Sequence, residues 1–186
     1  MIAGFCAVLM QLLPLPWTTA QAHEVLLNTV AEVYFSPKGG CTEALVSEIS
    51  KAKSEILVQA YSFTSKEIAG ALADAHTRGV SIQIILDKSQ ITARQSTAGY
   101  TSRNGIPTFI DNAHAIAHSK IMIIDKLTVI TGSFNFTKAA EEGNAENLLI
   151  VRSSALAEIY RKNWDEHRCH SEEYGGKEGG MTGSGR

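Results

Sequence analysis

Two spacings of apolar residues alternate along the chain between residues 30 and 168. Short apolar runs bounded by turn-forming residues predict β-strands, whereas apolar positions three and four residues apart predict amphipathic helices. The predicted strands are residues 32–35, 55–63, 80–86, 106–110, 121–124, 128–131 and 147–151. The predicted helices are residues 42–52, 65–79, 90–99 and 154–167, and 90–99 has the weakest pattern of the four. Strands separated by helices predict an α/β fold, a mixed β-sheet flanked by helices on both faces.

Capping residues support two of the predicted helices. Thr42 is predicted to cap the first, and Thr64 or Ser65 the second, because their hydroxyl oxygens can accept a hydrogen bond from a free N–H group of the first turn. Gly79 lies where a left-handed residue would end the second helix.

The two ends of the chain differ from the central region. Residues 1–17 contain no charged side chain, are mostly apolar and precede Ala20-Gln21-Ala22, which predicts a secretory signal removed after Ala22. No Lys or Arg precedes the apolar run, so a retained anchor is the alternative. A domain over residues 23–170 follows, and the Gly-rich residues 171–186 predict a disordered tail.

Composition excludes some functions and leaves others open. The 17 Lys and Arg against 19 Asp and Glu give a net charge of −2, which excludes a uniformly basic surface but not a local basic patch. After removal of the signal, Cys41 and Cys169 remain. In an oxidising compartment they form a disulfide or stay as two unpaired thiols, and the sequence leaves both open.

Candidate chemistry begins with the pattern H-x-K-x-x-x-x-D. On a strand, His118 and Lys120 point to the same side because side chains alternate. Asp125 lies an odd number of residues from His118, so a regular strand places it on the opposite side. That parity favours a structural role for Asp125 at the strand end.

A second polar pair follows the next strand, in the run GSFNF. Ser133 and Asn135 share one parity and Phe134 and Phe136 the other, so the polar pair is predicted to face a cleft while the aromatic rings enter the core. Glu146 then opens the last strand and offers a carboxylate that can orient a histidine.

Other histidines receive a less specific interpretation. His114 is interpreted as a loop residue. His167, Cys169 and His170 are crowded as in a metal site, but no second ligand cluster accompanies them in the sequence. They are interpreted as the end of a helix that runs into the tail.

Together these motifs resemble the phospholipase D superfamily. The resemblance is carried by His118, Lys120, Asp125, the GSFNF run and Glu146, and it also includes Tyr61-Ser62-Phe63-Thr64. It extends over about residues 30–168 and is strongest to the small, secreted, metal-independent bacterial endonucleases. It implies the phospholipase D-like fold, in one copy per chain. A periplasmic or secreted location is therefore expected.

The resemblance also implies a mechanism. Such proteins with one motif form homodimers in which each subunit supplies one histidine to a shared site. One His118 would attack phosphorus and the other would act as acid and then base, while Lys120 and Asn135 hold the phosphate oxygens. Ser133 and Glu146 would support them, and Asp125 completes the motif. No cofactor and no metal ion are expected in this site.

Substrate class is less constrained than reaction class. DNA, RNA and phospholipid all contain a phosphodiester, and the chain shows no basic amphipathic helix that would bind a bilayer stably. Basic residues in predicted loops could follow a nucleic-acid backbone, namely Lys38, Lys88, Arg94, Arg103, Lys126 and Lys138. The sequence therefore favours a nonspecific nuclease that cuts DNA, with RNA also open. A phospholipid phosphodiesterase is the first alternative, and an inactive nucleic-acid-binding module is the second.

Overall fold

The computed structural model describes residues 29–175, which contain one sheet of eight strands and five helices. The predicted signal (1–22) and residues 176–186 of the predicted tail lie outside the described residues. The strands are β1 (Ala31–Ser36), β2 (Glu55–Ala60), β3 (Ser81–Asp87), β4 (Thr108–Asp111), β5 (Lys120–Ile124), β6 (Thr128–Gly132), β7 (Glu146–Arg152) and β8 (Glu172–Glu173). The helices are α1 (Cys41–Lys51), α2 (Lys66–Thr77), α3 (Ala98–Arg103), α4 (Lys138–Glu142) and α5 (Ser154–His170).

The strands lie in the order β1-β7-β6-β5-β2-β3-β4-β8. β2, β3 and β4 run parallel, and each remaining pair of neighbours is antiparallel. The carboxyl ends of β1, β2, β3, β4 and β6 therefore share one edge of the sheet with the amino ends of β5, β7 and β8. We call this the upper edge, and Lys120, Gly132 and Glu146 all lie on it.

Helices cover both faces of the sheet, which confirms the predicted α/β architecture. On one face, α1, α2 and α3 bury a large core that includes Leu45, Leu72 and Phe63. On the other face, α5 packs its Trp164 against β2, where the indole Nε1 donates to the Val58 carbonyl at 3.0 Å. The apolar runs that predicted the strands are buried because the central strands have helices on both sides.

Local departures from the predicted elements have identifiable causes. The predicted helix 90–99 is instead a 3₁₀ turn, Lys88–Ile91, followed by α3. α1 begins after Gly40, whose φ is 81°, and the Thr42 amide bonds the Glu141 carboxylate, so Thr42 does not cap the helix. The predicted end of the second helix is correct, since Gly79 is left-handed, with a φ of 94°.

The beginning of the predicted tail is ordered. Glu172 and Glu173 form β8, which pairs with β4, and the Tyr174 amide donates to the Thr108 carbonyl at 2.8 Å. Residues 171–175 therefore extend the sheet at its far edge. A two-residue strand carries too little pattern to be predicted from alternation of polar and apolar residues.

The two cysteines of the domain are not joined. Cys41 is completely buried at the start of α1, Cys169 is exposed on α5, and both thiols are free. Burial raises the pKa of the Cys41 thiol to about 11, which keeps it protonated and unreactive. Among residues 29–175, no helix has the length and apolar content needed to cross a membrane.

Asp125 fixes the turn at the lower end of β5. Its φ is 53°, and its carboxylate accepts hydrogen bonds from the amides of Lys53, Ser54 and Glu55 at 2.8–3.0 Å. The Ser54 hydroxyl also donates to it, at 2.8 Å. Burial raises the pKa of this carboxyl, but the hydrogen bonds outweigh burial and hold the pKa below its ordinary value.

Replacing Asp125 with Ala should destabilise the fold and leave the chemistry intact. The segment before β2 would lose its acceptors, so we expect the free energy of unfolding to fall by about 2 kcal/mol, measured by urea unfolding. Because the folded-state pKa is lowered, this contribution is present above pH 4–5 and disappears as pH falls through the folded pKa. Catalytic turnover of the folded variant should match the wild type. A large loss of turnover with unchanged stability would contradict a structural role.

Candidate active site

His118 lies at the upper edge, immediately before β5. The register Ala60↔Lys120 aligns β2 with β5, and the Tyr61 amide donates to the Ser119 carbonyl at 2.9 Å. This pairing places the Tyr61 ring against the His118 ring, with centroids 4.5 Å apart. His118 is otherwise exposed, so its imidazole is oriented by an aromatic neighbour and open to a ligand.

Lys120 lies beneath this histidine and is only 6% exposed. Its Nζ is 4.9 Å from the centre of the Tyr61 ring and donates to the His118 carbonyl at 2.5 Å. Burial lowers the pKa of Lys120, and the nearby Glu146 carboxylate opposes that shift. A partly desolvated ammonium group interacts strongly with an anion that enters the cleft.

Gly132 allows the end of β6 to approach β7 very closely. Its φ is 148°, and a Cβ atom there would lie 2.2 Å from the Asn147 carbonyl oxygen. The close approach lets the Ser133 hydroxyl accept from the Asn147 backbone amide at 3.1 Å and from its side chain at 3.3 Å. Ser133 is thus held by β7 with its hydroxyl proton left to donate.

The polar and aromatic residues of GSFNF separate as predicted. Phe134 and Phe136 are completely buried, and Phe136 packs edge-on against Phe63 with ring centroids 5.9 Å apart. The Asn135 Oδ1 atom is buried and has no hydrogen-bond partner among residues 29–175. Leaving a buried acceptor unpaired costs about 1–3 kcal/mol. This cost favours a donor from another molecule that completes the site.

Glu146 opens β7 at the same edge. Its backbone amide donates to the Ser36 hydroxyl at 3.1 Å, and its carboxylate accepts from Asn144 at 3.1 Å. The carboxylate is close enough to act on the charge of Lys120. The predicted contact between Glu146 and an imidazole is not made within the described part of one chain and stays a prediction.

The fold therefore gathers five of the six candidate residues, His118, Lys120, Ser133, Asn135 and Glu146, at the upper edge. Asp125 is excluded, because it ends β5 at the opposite edge and its carboxylate is used by the turn. Sequence reasoning assigned no site role to Tyr61 or Asn147. Their positions could have identified them, because each lies beside a motif residue of a neighbouring strand.

A family model described as "Cardiolipin synthase, PLD-like domain" matches residues 45–168. The chain belongs to the phospholipase D superfamily. This match confirms the resemblance seen in the motifs, and the solved structures confirm the fold.

Solved structures and curated sequences agree with the family. The phospholipase D family member Nuc from Salmonella typhimurium has a TM-score of 0.76 and 38% identity, over 78% of this chain and 97% of that one. NucT from Helicobacter pylori has a TM-score of 0.72 and 25% identity, over 78% and 99%. A protein named "Phospholipase D" from Rickettsia conorii is 45% identical over 130 residues, 70% of this chain. The match spans 65% of that relative's length. These matches support the prediction of a phosphodiester hydrolase.

Not all of the basic residues that were predicted to follow a nucleic-acid backbone lie near the candidate active site. Lys126 lies in the β5–β6 turn at the opposite edge. Lys88 donates to the His114 carbonyl, and Lys138 pairs with Glu142 at 3.4 Å. Arg94 and Lys138 line a cleft beside the motif, in which Lys66 adds a third cation and Glu67, Glu141 and Glu142 add three carboxylates. This cleft is mixed in charge, so it does not by itself identify a nucleic-acid surface.

A group of three imidazoles lies further along the upper edge, outside the superfamily motif. His114, His167 and His170 surround the carboxylate of Asp111, which is completely buried. Burial raises the pKa of Asp111, but hydrogen bonds from His167, His114 and Ala113 outweigh it and hold that pKa well below its usual range. The interpretation of these histidines as loop and helix-end residues is therefore incomplete, because the fold brings Asp111 and His114 together with His167 and His170.

Proposed function

We propose that the protein is a metal-independent endonuclease that cleaves DNA through a covalent phosphohistidine in a site shared by two copies of the chain. The observation that carries the proposal is the exposed His118 imidazole above the buried Lys120, on the same edge of the sheet as Asn135, whose Oδ1 is buried and unpaired. A nucleophile, a cation and an unpaired polar atom thus converge on one open edge, as phosphoryl transfer requires.

One chain supplies half of the chemistry. Displacement at phosphorus needs a neutral imidazole as nucleophile and a protonated one as acid. Among residues 29–175, the other histidines lie on α2, in the β4–β5 loop and on α5, and none of them contacts His118. A two-fold axis beside the upper edge would bring a second His118 opposite the first.

An exposed apolar surface next to this edge fits such an axis. Val33 and Phe35 are 53% and 66% exposed, on the edge strand β1. They pair with Leu149 and Asn147 of β7, and Asn147 in turn holds Ser133. Apolar side chains exposed on an edge strand favour a partner surface, and one continuous with the site favours a second copy.

The first step would form a bond between a His118 nitrogen and phosphorus. The bond from phosphorus to the leaving oxygen breaks at the same time, and the protonated His118 of the second copy gives its proton to that oxygen. Lys120 and Asn135 would bind the non-bridging oxygens, where negative charge develops. Fixed donors at such positions contribute several kcal/mol to lowering the barrier.

The second step would return the enzyme to its starting state. The neutral His118 of the second copy removes a proton from water, and the resulting hydroxide attacks phosphorus. The bond from phosphorus to the first His118 breaks, so the product leaves as a phosphomonoester. Two neighbouring imidazoles suit this cycle, because one can act as the nucleophile while the other acts first as acid and then as base.

Nucleic acid is the proposed substrate because the motifs resemble the single-motif endonuclease branch and because exposed Lys38 and Arg94 lie on the site's side of the sheet. The groups assigned to the site all act on the phosphate, so we expect cleavage without sequence preference. A phospholipid is the second candidate. It is favoured by Ile116, which is 58% exposed two residues before His118, and by the name of the Rickettsia relative.

A secreted or periplasmic location is part of the proposal and rests on residues 1–22.

The covalent intermediate is open to direct trapping. We expect a rapid denaturing quench of the reaction with phosphate-labelled DNA to leave label on the wild-type chain and none on His118→Ala. Turnover of His118→Ala should fall by about 10³-fold or more, since the nucleophile is lost. His76→Ala is the matched control and should retain both label and turnover. Turnover of His118→Ala within about tenfold of wild type would remove the assignment.

The shared site predicts that dimerisation and activity are lost together. Phe35→Glu places a charge on the exposed apolar surface and should give monomers in sedimentation at micromolar concentration, with turnover falling in proportion to the dimer that remains. Leu127→Glu is the control, because Leu127 is 47% exposed at the opposite edge; it should stay dimeric and active. A fully active monomer would contradict the shared site.

The substrate class can be decided by a side-by-side assay in the presence of EDTA. We expect the wild type to cut plasmid DNA at many positions, with RNA and cardiolipin vesicles as the comparison substrates and His118→Ala as the background. Hydrolysis of cardiolipin without DNA cleavage would favour the lipid candidate instead. Loss of DNA cleavage in EDTA that excess Mg²⁺ restores, with the fold retained by circular dichroism throughout, would contradict metal independence.

A further inference from the structure

Four nitrogen atoms surround the carboxylate of Asp111, and three of them belong to imidazoles. The Nδ1 atoms of His114 and His167 lie 3.0 and 2.7 Å from Oδ2, and the Nε2 atom of His170 lies 3.4 Å from the same oxygen. The His114 Nδ1 atom is also 3.1 Å from Oδ1, and Oδ1 accepts from the Ala113 amide at 3.0 Å. Three imidazoles therefore share one buried carboxylate.

The three imidazoles are also close to one another. Ring centroids are separated by 4.7 Å for His114 and His167, 5.1 Å for His114 and His170, and 5.4 Å for His167 and His170. Neutral imidazoles each offer one nitrogen lone pair. With the carboxylate oxygen they form a compact set of donor atoms that suits one cation.

We infer that Asp111, His114, His167 and His170 bind one zinc ion. The four donor atoms lie within 4.8 Å of one another. In a tetrahedral site with zinc–ligand bonds of about 2.0–2.1 Å, donor atoms are separated by ~3.3 Å. The distances from Asp111 Oδ2 to the three nitrogen atoms are 2.7–3.4 Å, and small rotations of the half-exposed His114 and His170 side chains would bring the set to that separation.

The donor set selects the metal. Three neutral imidazoles and one carboxylate suit zinc, whereas magnesium and calcium prefer a shell made of oxygen atoms. The ligands also follow the spacing of structural zinc sites in proteins, since they form two short pairs, Asp111-x-x-His114 and His167-x-x-His170, far apart in the chain. With four protein ligands the site is closed, so the ion has a structural role and does not take part in catalysis.

The ion would join three parts of the fold that meet at the upper edge. Asp111 ends β4, His114 lies in the loop between β4 and β5, and His167 and His170 form the last turn of α5. β8 pairs with β4 directly after that turn. The same loop ends at His118, so zinc would also hold the segment that carries the proposed nucleophile. Two strands separate β4 from β5, which places the ion ~14 Å from the start of β5.

Metal content and thermal stability of a tag-free protein test this inference. We expect one zinc per chain by elemental analysis, and a visible d–d spectrum typical of tetrahedral Co²⁺ when cobalt replaces zinc. Adding zinc to chelator-stripped protein should raise Tm by about 5–10 °C. The double variant His167→Gln and His170→Gln should lose the stoichiometric zinc, the cobalt spectrum and the shift in Tm.

Three further variants keep the result interpretable. His114→Gln changes an exposed loop residue and should fold, with zinc affinity reduced by about tenfold or more in a competition titration. His76→Gln, on α2, is the matched control and should bind zinc as the wild type does. His118→Ala should also bind zinc normally, so that failure of the zinc site and failure of the proposed catalysis are separate outcomes. Zinc far below one per chain in the wild type, or equal binding by the double variant, would overturn the inference.

Discussion

The antiparallel pairing of β5 between β2 and β6 is the constraint on which the site depends. Its register sets Lys120 opposite Ala60, which brings Tyr61 to His118, and it aligns Thr131 with Ile121, which brings Gly132 and Ser133 to the same edge. A slip of one residue would turn His118 and Lys120 to the other face of the sheet. The register is held at its lower end by Asp125, whose carboxylate bonds the segment that precedes β2. Asp125 belongs to the same motif as the reactive residues, and it acts by fixing the strand that carries them.

Placing a lysine under an exposed histidine carries an energetic cost. Burial disfavours the charged form of Lys120, and the Glu146 carboxylate compensates in part. The buried, unpaired oxygen of Asn135 adds a second cost nearby. The Lys120 ammonium can donate to a phosphate, and the Asn135 oxygen can accept from a donor of a substrate or a second subunit. This is the physical reason for relating these residues to catalysis and not to stability.

The upper edge holds histidines in two different environments. His118 has an aromatic neighbour and is open to solvent, whereas His114, His167 and His170 converge on a buried carboxylate. The loop of residues 112–119 connects the two environments and is tied at several points, because the Ala117 amide donates to Asp87 and Lys88 donates to the His114 carbonyl. Ordering of one group therefore contributes to the position of the other.

The sequence alone determined the fold class, the strands that carry the motif and the separation of Ser133 and Asn135 from the buried Phe134 and Phe136. These features follow from local periodicity, which needs no knowledge of the rest of the chain. The sequence also favoured a structural role for Asp125, because the parity of a strand is a local property.

Tertiary structure decided which residues approach one another across long separations in the chain. Three sets of contacts depend on strand order: the turn contacts of Asp125 with residues 53–55, the tilted packing of the Tyr61 ring against His118, and the meeting of Asp111 and His114 with the end of α5. Strand order is set by packing of the whole sheet, so no local pattern encodes it.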